Sequence, residues 1–217
     1  MTKPRNGSTF VDRYHEAGLT HNPFVSPQLP AALDVNVDAI YIDRGLSDPP
    51  APGSRSLVQV IGEEGMGKST QLQWWRSSQP GPFHYIPREP YRDRWATPPV
   101  RQPTIYGDEI DRMPVVLRRR WFKTLAKAKA TLIIGTHVDL TALGQRSGFT
   151  VITHHLETLD APKMREMIDA RLAACSNGVE PRLELSDADI DLILSKSRGI
   201  PRDADEICHT LVAERVM

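Results

Sequence analysis

An eight-residue glycine-rich segment constrains this chain more than any other part of its sequence. Residues 62–69 read GEEGMGKS and match the pattern G-x-x-x-x-G-K-[ST] without deviation. An apolar run at 57–61 precedes the segment and a helical pattern at 68–77 follows it. In that setting the glycines let backbone N–H groups converge on phosphate oxygens, and the start of the helix adds a favourable dipole. The sequence therefore predicts a nucleotide-binding P-loop between a strand and a helix.

The side chains of this loop predict the ligands. Lys68 is expected to reach the β- and γ-phosphates of ATP, and Ser69 is expected to bind Mg²⁺. The expected nucleotide-binding residues of the loop are Gly62, Glu63, Glu64, Gly65, Met66, Gly67, Lys68, Ser69 and Thr70. The predicted cofactors are therefore ATP and Mg²⁺.

An acidic pair follows a second apolar run, in the segment TIYGDE at 104–109. Downstream of a P-loop, Asp108 is expected to bind Mg²⁺, directly or through water. Glu109 is expected to orient the attacking water and to take its proton. Asp111 is interpreted as a solvated neighbour of this pair. Together with the P-loop, the pair predicts hydrolysis of ATP to ADP and phosphate.

The order of apolar and helical segments predicts an α/β fold. The expected strands are 57–61, 83–86, 104–106, 131–135 and 149–152, and the expected helices between them are 68–77, 114–129 and 139–145. After residue 160 the pattern becomes helical at 162–175, 187–196 and 202–215, and Ser186 with Asp189 indicates a capping box. We therefore expect an α/β ATPase domain with its lead-in over 1–159 and a helical lid over 160–217.

Four further segments occur in the order found in one ATPase family. The strand at 131–135 ends in Thr136 and His137, residues 145–149 read QRSGF, and residues 197–202 read SRGIPR; before the P-loop stand HNPF at 21–24 and AIYI at 39–42. On these motifs residues 57–215 resemble the AAA+ ATPases, closest in pattern to transposon target-selection regulators and origin-recognition ATPases. The resemblance implies a parallel five-stranded sheet with helices on both faces and a small C-terminal helical lid.

The resemblance also implies roles for single residues. Thr136 is favoured over His137 as the polar group that positions the lytic water, although a structural turn at the strand end is the alternative. Arg146 corresponds to an arginine finger that acts on a neighbouring subunit, or else is an exposed loop arginine. Arg202 corresponds to the second sensor, which would contact the γ-phosphate and contribute to catalysis, or else is an arginine at a helix start. Residues 40–42 are weaker candidates for packing on adenine, and ordinary core packing is the favoured interpretation.

A proline-rich segment of 17 residues separates the second expected strand from the segment TIYGDE at 104–109 that carries the acidic pair. In AAA+ proteins a helix often occupies this place and carries a pore loop. The shortness and the prolines predict that this helix is lost or reduced, which argues against a protein-threading unfoldase.

Charge is balanced overall but not locally. The chain has 27 basic and 27 acidic residues, whereas residues 88–129 hold eleven Lys or Arg and five Asp or Glu. On the helix expected at 114–129, Arg119, Lys123 and Lys127 follow each other at intervals of four and form one basic stripe. Such a stripe suits the phosphates of duplex DNA, but a solvated helix face is an equally good interpretation.

These observations lead to a hypothesis about the cellular role. We expect a cytoplasmic ATPase that forms a homo-oligomeric ring or helical filament, binds duplex DNA, and recruits or licenses an unidentified protein partner, as transposition regulators do. The alternatives are a signalling or scaffold ATPase with protein partners only, and a small-molecule kinase, which the acidic pair and the G-x-P-R motif disfavour. The two cysteines lack zinc spacing, the N-terminus does not resemble a signal peptide, and the apolar runs are far shorter than the ~20 residues that span a membrane.

Overall fold

The structure, a computed structural model, describes residues 14–20, 22–24, 40–89, 94–95, 101–178 and 183–216. Contacts group the chain into two compact units, one spanning Asp43–Glu157 and the other joining Thr158–Met217 to the described residues of Met1–Ile42. The division into domains at residue 159 stays a prediction. His21, Ala39 and most of the proline-rich segment lie outside the described residues.

The unit Asp43–Glu157 is an α/β layer. Its elements are β1 (Ser56–Ile61), α1 (Lys68–Ser78), β2 (Phe83–Tyr85), β3 (Thr104–Asp108), a 3₁₀ turn (Ile110–Arg112), α2 (Val115–Lys127), β4 (Thr131–Thr136), α3 (Thr141–Ser147) and β5 (Thr150–His155). The strands form a parallel five-stranded sheet in the order β2-β3-β4-β1-β5. The predicted α/β fold is confirmed, and each expected strand and helix of this part is found within a few residues of its expected limits.

Helices cover both faces of the sheet because successive residues of its inner strands are apolar and successive side chains point to opposite faces. Leu57 of β1 and Leu132 of β4 are paired in register and share one core cluster with Trp121 of α2. The helix α1 packs against β3 and β4 with its buried residues Leu72 and Trp75. This arrangement leaves the charged face of α2 exposed, as the amphipathic pattern predicts.

The strand order brings three strand ends to one edge of the sheet. The strand β4 lies between β1 and β3, and Ile61 at the end of β1 pairs with Thr136 at the end of β4. Since all strands are parallel, the segments that follow β1, β3 and β4 leave the sheet at the same edge, which is where open α/β sheets bind their ligands. The P-loop, the acidic pair and the residues after β4 therefore meet there.

The second unit is helical. It contains α4 (Ala161–Ala174), α5 (Asp187–Ser197) and α6 (Pro201–Val216), and the predicted capping box of Ser186 and Asp189 is present at the start of α5. These helices share one hydrophobic core with described residues of the segment that precedes the α/β layer. The members of this core include Tyr14, Leu19, Phe24, Ile42, Met164, Ile168, Ile190, Ile193 and Cys208. Within the described part of the chain, no helix has the length and apolar character needed to cross a membrane.

Gly199 of the G-x-P-R motif has a structural reason to be glycine. Its φ is +74°, and its carbonyl accepts a hydrogen bond of 2.8 Å from the Leu159 amide. A Cβ at this position would lie 2.5 Å from the Leu159 carbonyl oxygen. Pro201 begins α6, where its fixed φ suits the first helical position. Two of the motif's residues thus shape the turn before α6.

Candidate functional site

The P-loop lysine is held by its own loop. Gly67 adopts a left-handed backbone with φ +92°, and α1 begins at the next residue. The Lys68 side chain is buried, and its Nζ donates hydrogen bonds of 2.9 Å to the carbonyl oxygens of Gly62 and Glu63. A phosphate would need the same ammonium hydrogens that these two carbonyl oxygens accept. Lys68 would therefore have to break its hydrogen bonds to the loop in order to donate to phosphate oxygens.

Ser69 and Asp108 come together as the sequence predicts for a magnesium site. Ser69 Oγ donates to Asp108 Oδ2 at 2.5 Å, and Asp108 Oδ1 accepts from the Glu109 amide at 3.0 Å. Burial raises the pKa of Asp108 above its ordinary value, although the bond from Ser69 and the charge of Lys68 oppose this. A hydroxyl and a carboxylate are oxygen donors of the kind that Mg²⁺ prefers. The donor set therefore fits this ion.

Gly135 leaves the space that Asp108 occupies. A Cβ at Gly135 on β4 would lie 2.4 Å from Asp108 Oδ1 and 3.4 Å from Lys68 Cβ. The carboxylate and the lysine stem thus rest directly on the β4 backbone. Any side chain at Gly135 would displace the carboxylate.

Glu109 lies in a strained and crowded position. Its φ is +58°, which is uncommon for a residue with a side chain. Its carboxylate lies 3.1 Å from His137 Nδ1, 3.2 Å from Arg112 Nη2 and 3.9 Å from Lys68 Nζ. Burial and then the neighbouring Asp108 raise the pKa of Glu109, against the opposing effects of Lys68, His137 and Arg112. A buried carboxylate with a raised pKa is a stronger base than an ordinary one.

His137 links the P-loop to the acidic residues. Its Nε2 lies 3.1 Å from Lys68 Nζ, and because an ammonium can only donate, Nε2 must be the acceptor. The ring proton is therefore on Nδ1, which lies 3.3 Å from Asp111 Oδ2. The His137 amide also donates to Asp111 Oδ1 at 3.2 Å. The aspartate thus fixes both the ring and the backbone of this histidine.

The interpretation of Asp111 as a solvated neighbour is wrong. Its side chain is only 18% exposed and is bonded to His137. Burial alone would raise the pKa of Asp111, but the hydrogen bonds from His137 lower it overall. No spacing rule in the sequence indicates this pair, because the contact depends on β3 and β4 being neighbours.

Thr136 has a different environment from His137. Its buried hydroxyl donates to the Val138 carbonyl at 3.0 Å and accepts from the Val138 amide at 3.2 Å. These bonds form a turn at the end of β4. Of the two candidates for positioning water, the structure brings the His137 side chain to Glu109, while the role of either residue stays a prediction.

The two predicted arginines lie on the helices α3 and α6. Arg146 is exposed in the last turn of α3, and its Nε donates to the Ala142 carbonyl at 2.9 Å. Arg202 is the exposed second residue of α6, in the helical unit. Their assigned roles depend on neighbouring subunits or on the arrangement of the two units, and both stay predictions.

The basic stripe borders an open groove. Arg119, Lys123 and Lys127 are exposed on α2, and Trp121 and Leu125 face the core as expected. Together with Arg120 and Thr124, the stripe lines a groove of about 360 Å³. The groove offers a concentrated positive surface, and its ligand stays a prediction.

Two residues near the P-loop have roles that the sequence did not indicate. Arg44 Nη1 donates to the Met66 carbonyl at 3.3 Å, and its Nη2 donates to the Glu157 carbonyl. Gln59, buried in the middle of β1, accepts from the Leu140 amide at 2.9 Å. The amide nitrogen of Gln59 contacts Asp139 Oδ1, Thr141 Oγ1 and Thr153 Oγ1, each at 2.8 Å. Gln59 thereby anchors the loop that follows His137.

Comparison with solved structures identifies the fold. No family model matches the chain, and no curated protein matches it. The RuvB Holliday junction branch migration motor of Thermotoga maritima matches with a TM-score of 0.53 at 22% identity, over 70% of this chain and 53% of that chain. Two point mutants of RuvB match over the same shares, with TM-scores of 0.53 and 0.51 at 21% and 22% identity. The chain spans about half the length of these structures, and it has the AAA+ P-loop fold.

Proposed function

We propose that this chain binds ATP with Mg²⁺ at the sheet edge described above and hydrolyses it. One observation carries the proposal: the P-loop lysine, the Ser69–Asp108 pair and the buried Glu109 carboxylate converge on one point, although they come from the ends of two different strands, β1 and β3. A cation for phosphates, a donor set for Mg²⁺ and a base for water are the parts that phosphoryl transfer to water requires.

The residues divide the work as follows. Lys68 exchanges the carbonyls of Gly62 and Glu63 for phosphate oxygens. Ser69 and Asp108 hold Mg²⁺, which supplies charge neutralisation at the phosphates when bound. Glu109 accepts the proton of the attacking water, and the raised pKa suits that step. His137 or Thr136 positions the water, Arg202 contacts the nucleotide, and Arg146 acts on a neighbouring subunit.

The test uses two variants that separate binding from turnover. Lys68→Ala removes the charge aimed at the phosphates and is expected to abolish binding of a fluorescent ATP analogue. Glu109→Gln keeps the shape but cannot take a proton, and is expected to bind the analogue and to release phosphate roughly 10²–10⁴-fold more slowly. Asp191→Asn, an exposed acid-to-amide change on α5, is the matched control. Wild-type turnover by Glu109→Gln contradicts the catalytic assignment.

For the cellular role we propose an oligomerising switch on DNA. The exposed stripe of Arg119, Lys123 and Lys127 supports this role, because three cations on one helix face can each contact a phosphate. The name of RuvB describes that protein as a motor on Holliday junctions, which also favours DNA. ATP-driven assembly into a ring or filament on duplex DNA would recruit or license a protein partner, as in transposition regulators, in the cytoplasm.

The second candidate is a scaffold or signalling ATPase that never binds DNA. This candidate is favoured if the basic face of α2 is simply in contact with water, since exposed Lys and Arg are common on protein surfaces. Both candidates share the ATPase reaction. They differ in whether the ATP-bound chain binds duplex DNA at low salt.

A further inference from the structure

Three side chains beside the proposed magnesium site form a separate group of metal-ligating atoms. One oxygen of Glu109, one oxygen of Asp111 and one ring nitrogen of His137 all lie within 4.8 Å of one another. The His137 Nδ1 is 3.1 Å from Glu109 Oε2 and 3.3 Å from Asp111 Oδ2. The group shares no residue with the Ser69–Asp108 pair.

One atom of this group lacks a hydrogen bond. Glu109 Oε2 is buried, its side chain is 10% exposed, and it accepts no hydrogen bond from any of the residues that the structure describes. His137 Nδ1 and Arg112 Nη2 are near enough, but neither N–H points at it well; the Nδ1 proton goes to Asp111 instead. A buried anionic oxygen without a hydrogen bond is costly. A cation at this point would satisfy it.

We propose that Glu109, Asp111 and His137 form a second cation site, which takes a transition-metal ion such as Zn²⁺ or Co²⁺, and that this ion switches off ATP hydrolysis. A nitrogen ligand with two carboxylates suits these ions, whereas Mg²⁺ prefers oxygen alone. Ligands about 2.0–2.1 Å from a tetrahedral ion lie about 3.3 Å from each other. The two measured nitrogen-to-oxygen distances are close to this value.

The ion would switch off hydrolysis by occupying the base. A metal-bound Glu109 Oε2 shares its lone pair with the ion and cannot accept the proton of water. This part rests on the proposed function, because it needs Glu109 to be the base. The existence of the site does not rest on it.

Binding of the ion requires a change at Lys68. A metal at Nδ1 displaces the ring proton, which is taken up at Nε2 through solvent, so the ring stays neutral. Nε2 can then no longer accept from the Lys68 ammonium, 3.1 Å away. Nucleotide binding draws Lys68 to the phosphates and removes this conflict. The ion and the nucleotide should therefore strengthen each other's binding, since such coupling is reciprocal.

The experiment titrates Co²⁺ into the full chain and follows visible absorption, because tetrahedral Co²⁺ absorbs far more strongly than the hydrated ion. In the wild type, the absorption of bound Co²⁺ is expected to saturate at one Co²⁺ per chain. Zn²⁺ should abolish this absorption, and millimolar Mg²⁺ should not. Affinity is expected to rise at least about threefold with a non-hydrolysable ATP analogue. His137→Gln and Asp111→Asn should each weaken Co²⁺ binding at least about tenfold. His155→Gln, a change to an exposed histidine at the same edge, should not.

The outcomes separate this proposal from the ATPase. No saturating spectrum in the wild type, or an unchanged spectrum in folded His137→Gln and Asp111→Asn, overturns the site whether or not the chain hydrolyses ATP. Equal Co²⁺ affinity with and without the analogue overturns the link through Lys68. If the site binds Co²⁺ while one equivalent of Zn²⁺ leaves phosphate release unchanged in excess Mg²⁺, the switch is overturned and the ATPase proposal stands.

Discussion

At the scale of single residues, Glu109 shows how burial and charge compete at one carboxylate. Burial and then Asp108 raise its pKa, while Lys68, His137 and Arg112, which lie within 3.9 Å of the carboxylate, lower it. Burial prevails, so the carboxyl holds its proton to a higher pH than an ordinary glutamate does. Its backbone is left-handed, with a φ of +58°, and strain of this kind is often found at functional positions.

Substitution of the two residues after β4 should decide which of them positions water. His137→Gln keeps a polar group but loses the contacts with Asp111 and Lys68, and we expect phosphate release to fall roughly 10–100-fold with ATP binding retained. Thr136→Val removes a buried hydroxyl that bonds the Val138 turn, and we expect a stability loss of about 1 kcal/mol with a smaller loss of turnover. Steady-state phosphate release and urea unfolding measure both effects. The reverse ranking would assign the role to Thr136.

At the scale of elements, the sequence predicts what depends on local pattern. The P-loop is found between β1 and α1 because its spacing is a local backbone requirement, and α2 is found because apolar residues recur at helical intervals. The Asp111–His137 bond joins residues 26 apart, and the Arg44–Glu157 bond joins residues 113 apart. These contacts depend on which strands and loops are neighbours, and no local pattern encodes that.

The basic stripe on α2 gives a prediction about salt. Lys123→Glu with Lys127→Glu should abolish ATP-dependent binding to duplex DNA and leave ATP binding unchanged, because both side chains are exposed and neither contacts the P-loop residues described above. Wild-type affinity should fall with salt by a slope of about 0.9 per phosphate contact, and should not depend on base sequence. Fluorescence anisotropy at about 50 mM salt measures this binding.

Two controls sharpen that measurement. The neutral pair Lys123→Gln with Lys127→Gln should have an intermediate effect. Each change to Gln alters the charge by one, whereas each change to Glu alters it by two. Lys196→Glu reverses an exposed charge on α5 and should have little effect. A wild-type chain that does not bind DNA at low salt with an ATP analogue present would favour the scaffold candidate.

The helix α6 contributes a pH-dependent term to stability. Burial raises the pKa of Asp205 from 3.8 to about 6, although Arg171 at 2.8 Å opposes the shift. A raised pKa means that the folded state binds the proton more tightly than the unfolded chain. The contribution is therefore present at low pH and is lost as pH rises through about 6.

We expect this term to be measurable by urea unfolding. Between pH 7.5 and pH 5, the free energy of unfolding of the wild type should gain about 1.4 kcal/mol relative to Asp205→Asn, which cannot take up the proton. Glu206→Gln, on the exposed side of α6, should follow the wild type. A constant difference between the wild type and Asp205→Asn across this range would contradict the assignment to Asp205.

At the scale of the whole molecule, the proposed arginine finger predicts that activity depends on assembly. Arg146 is exposed on α3, and its Nε donates to the Ala142 carbonyl of the same helix, so its side chain is accessible to a second chain. Arg146→Ala should bind ATP normally and lose hydrolysis roughly 10³-fold or more. Mixing it with Glu109→Gln should restore part of the activity, because each chain supplies the group that the other lacks.

The readout is phosphate release as a function of mixing ratio and total protein concentration. Light scattering under the same conditions gives the particle size. Arg120→Ala on α2 is an exposed arginine control outside α3. Full turnover by a strictly monomeric wild-type chain would exclude action between subunits.

The contacts of Gln59 have a consequence for the positions of the hydrogen atoms around its side chain. Its side-chain amide has two hydrogens but meets three oxygens at 2.8 Å, and it is fully buried at the centre of the sheet. The amide hydrogens are fixed in the amide plane, whereas the hydroxyls of Thr141 and Thr153 lie 3.4 Å apart and either of them can be the donor. The junction between β1 and the loop after β4 therefore allows more than one arrangement of hydroxyl protons while its heavy atoms stay in place.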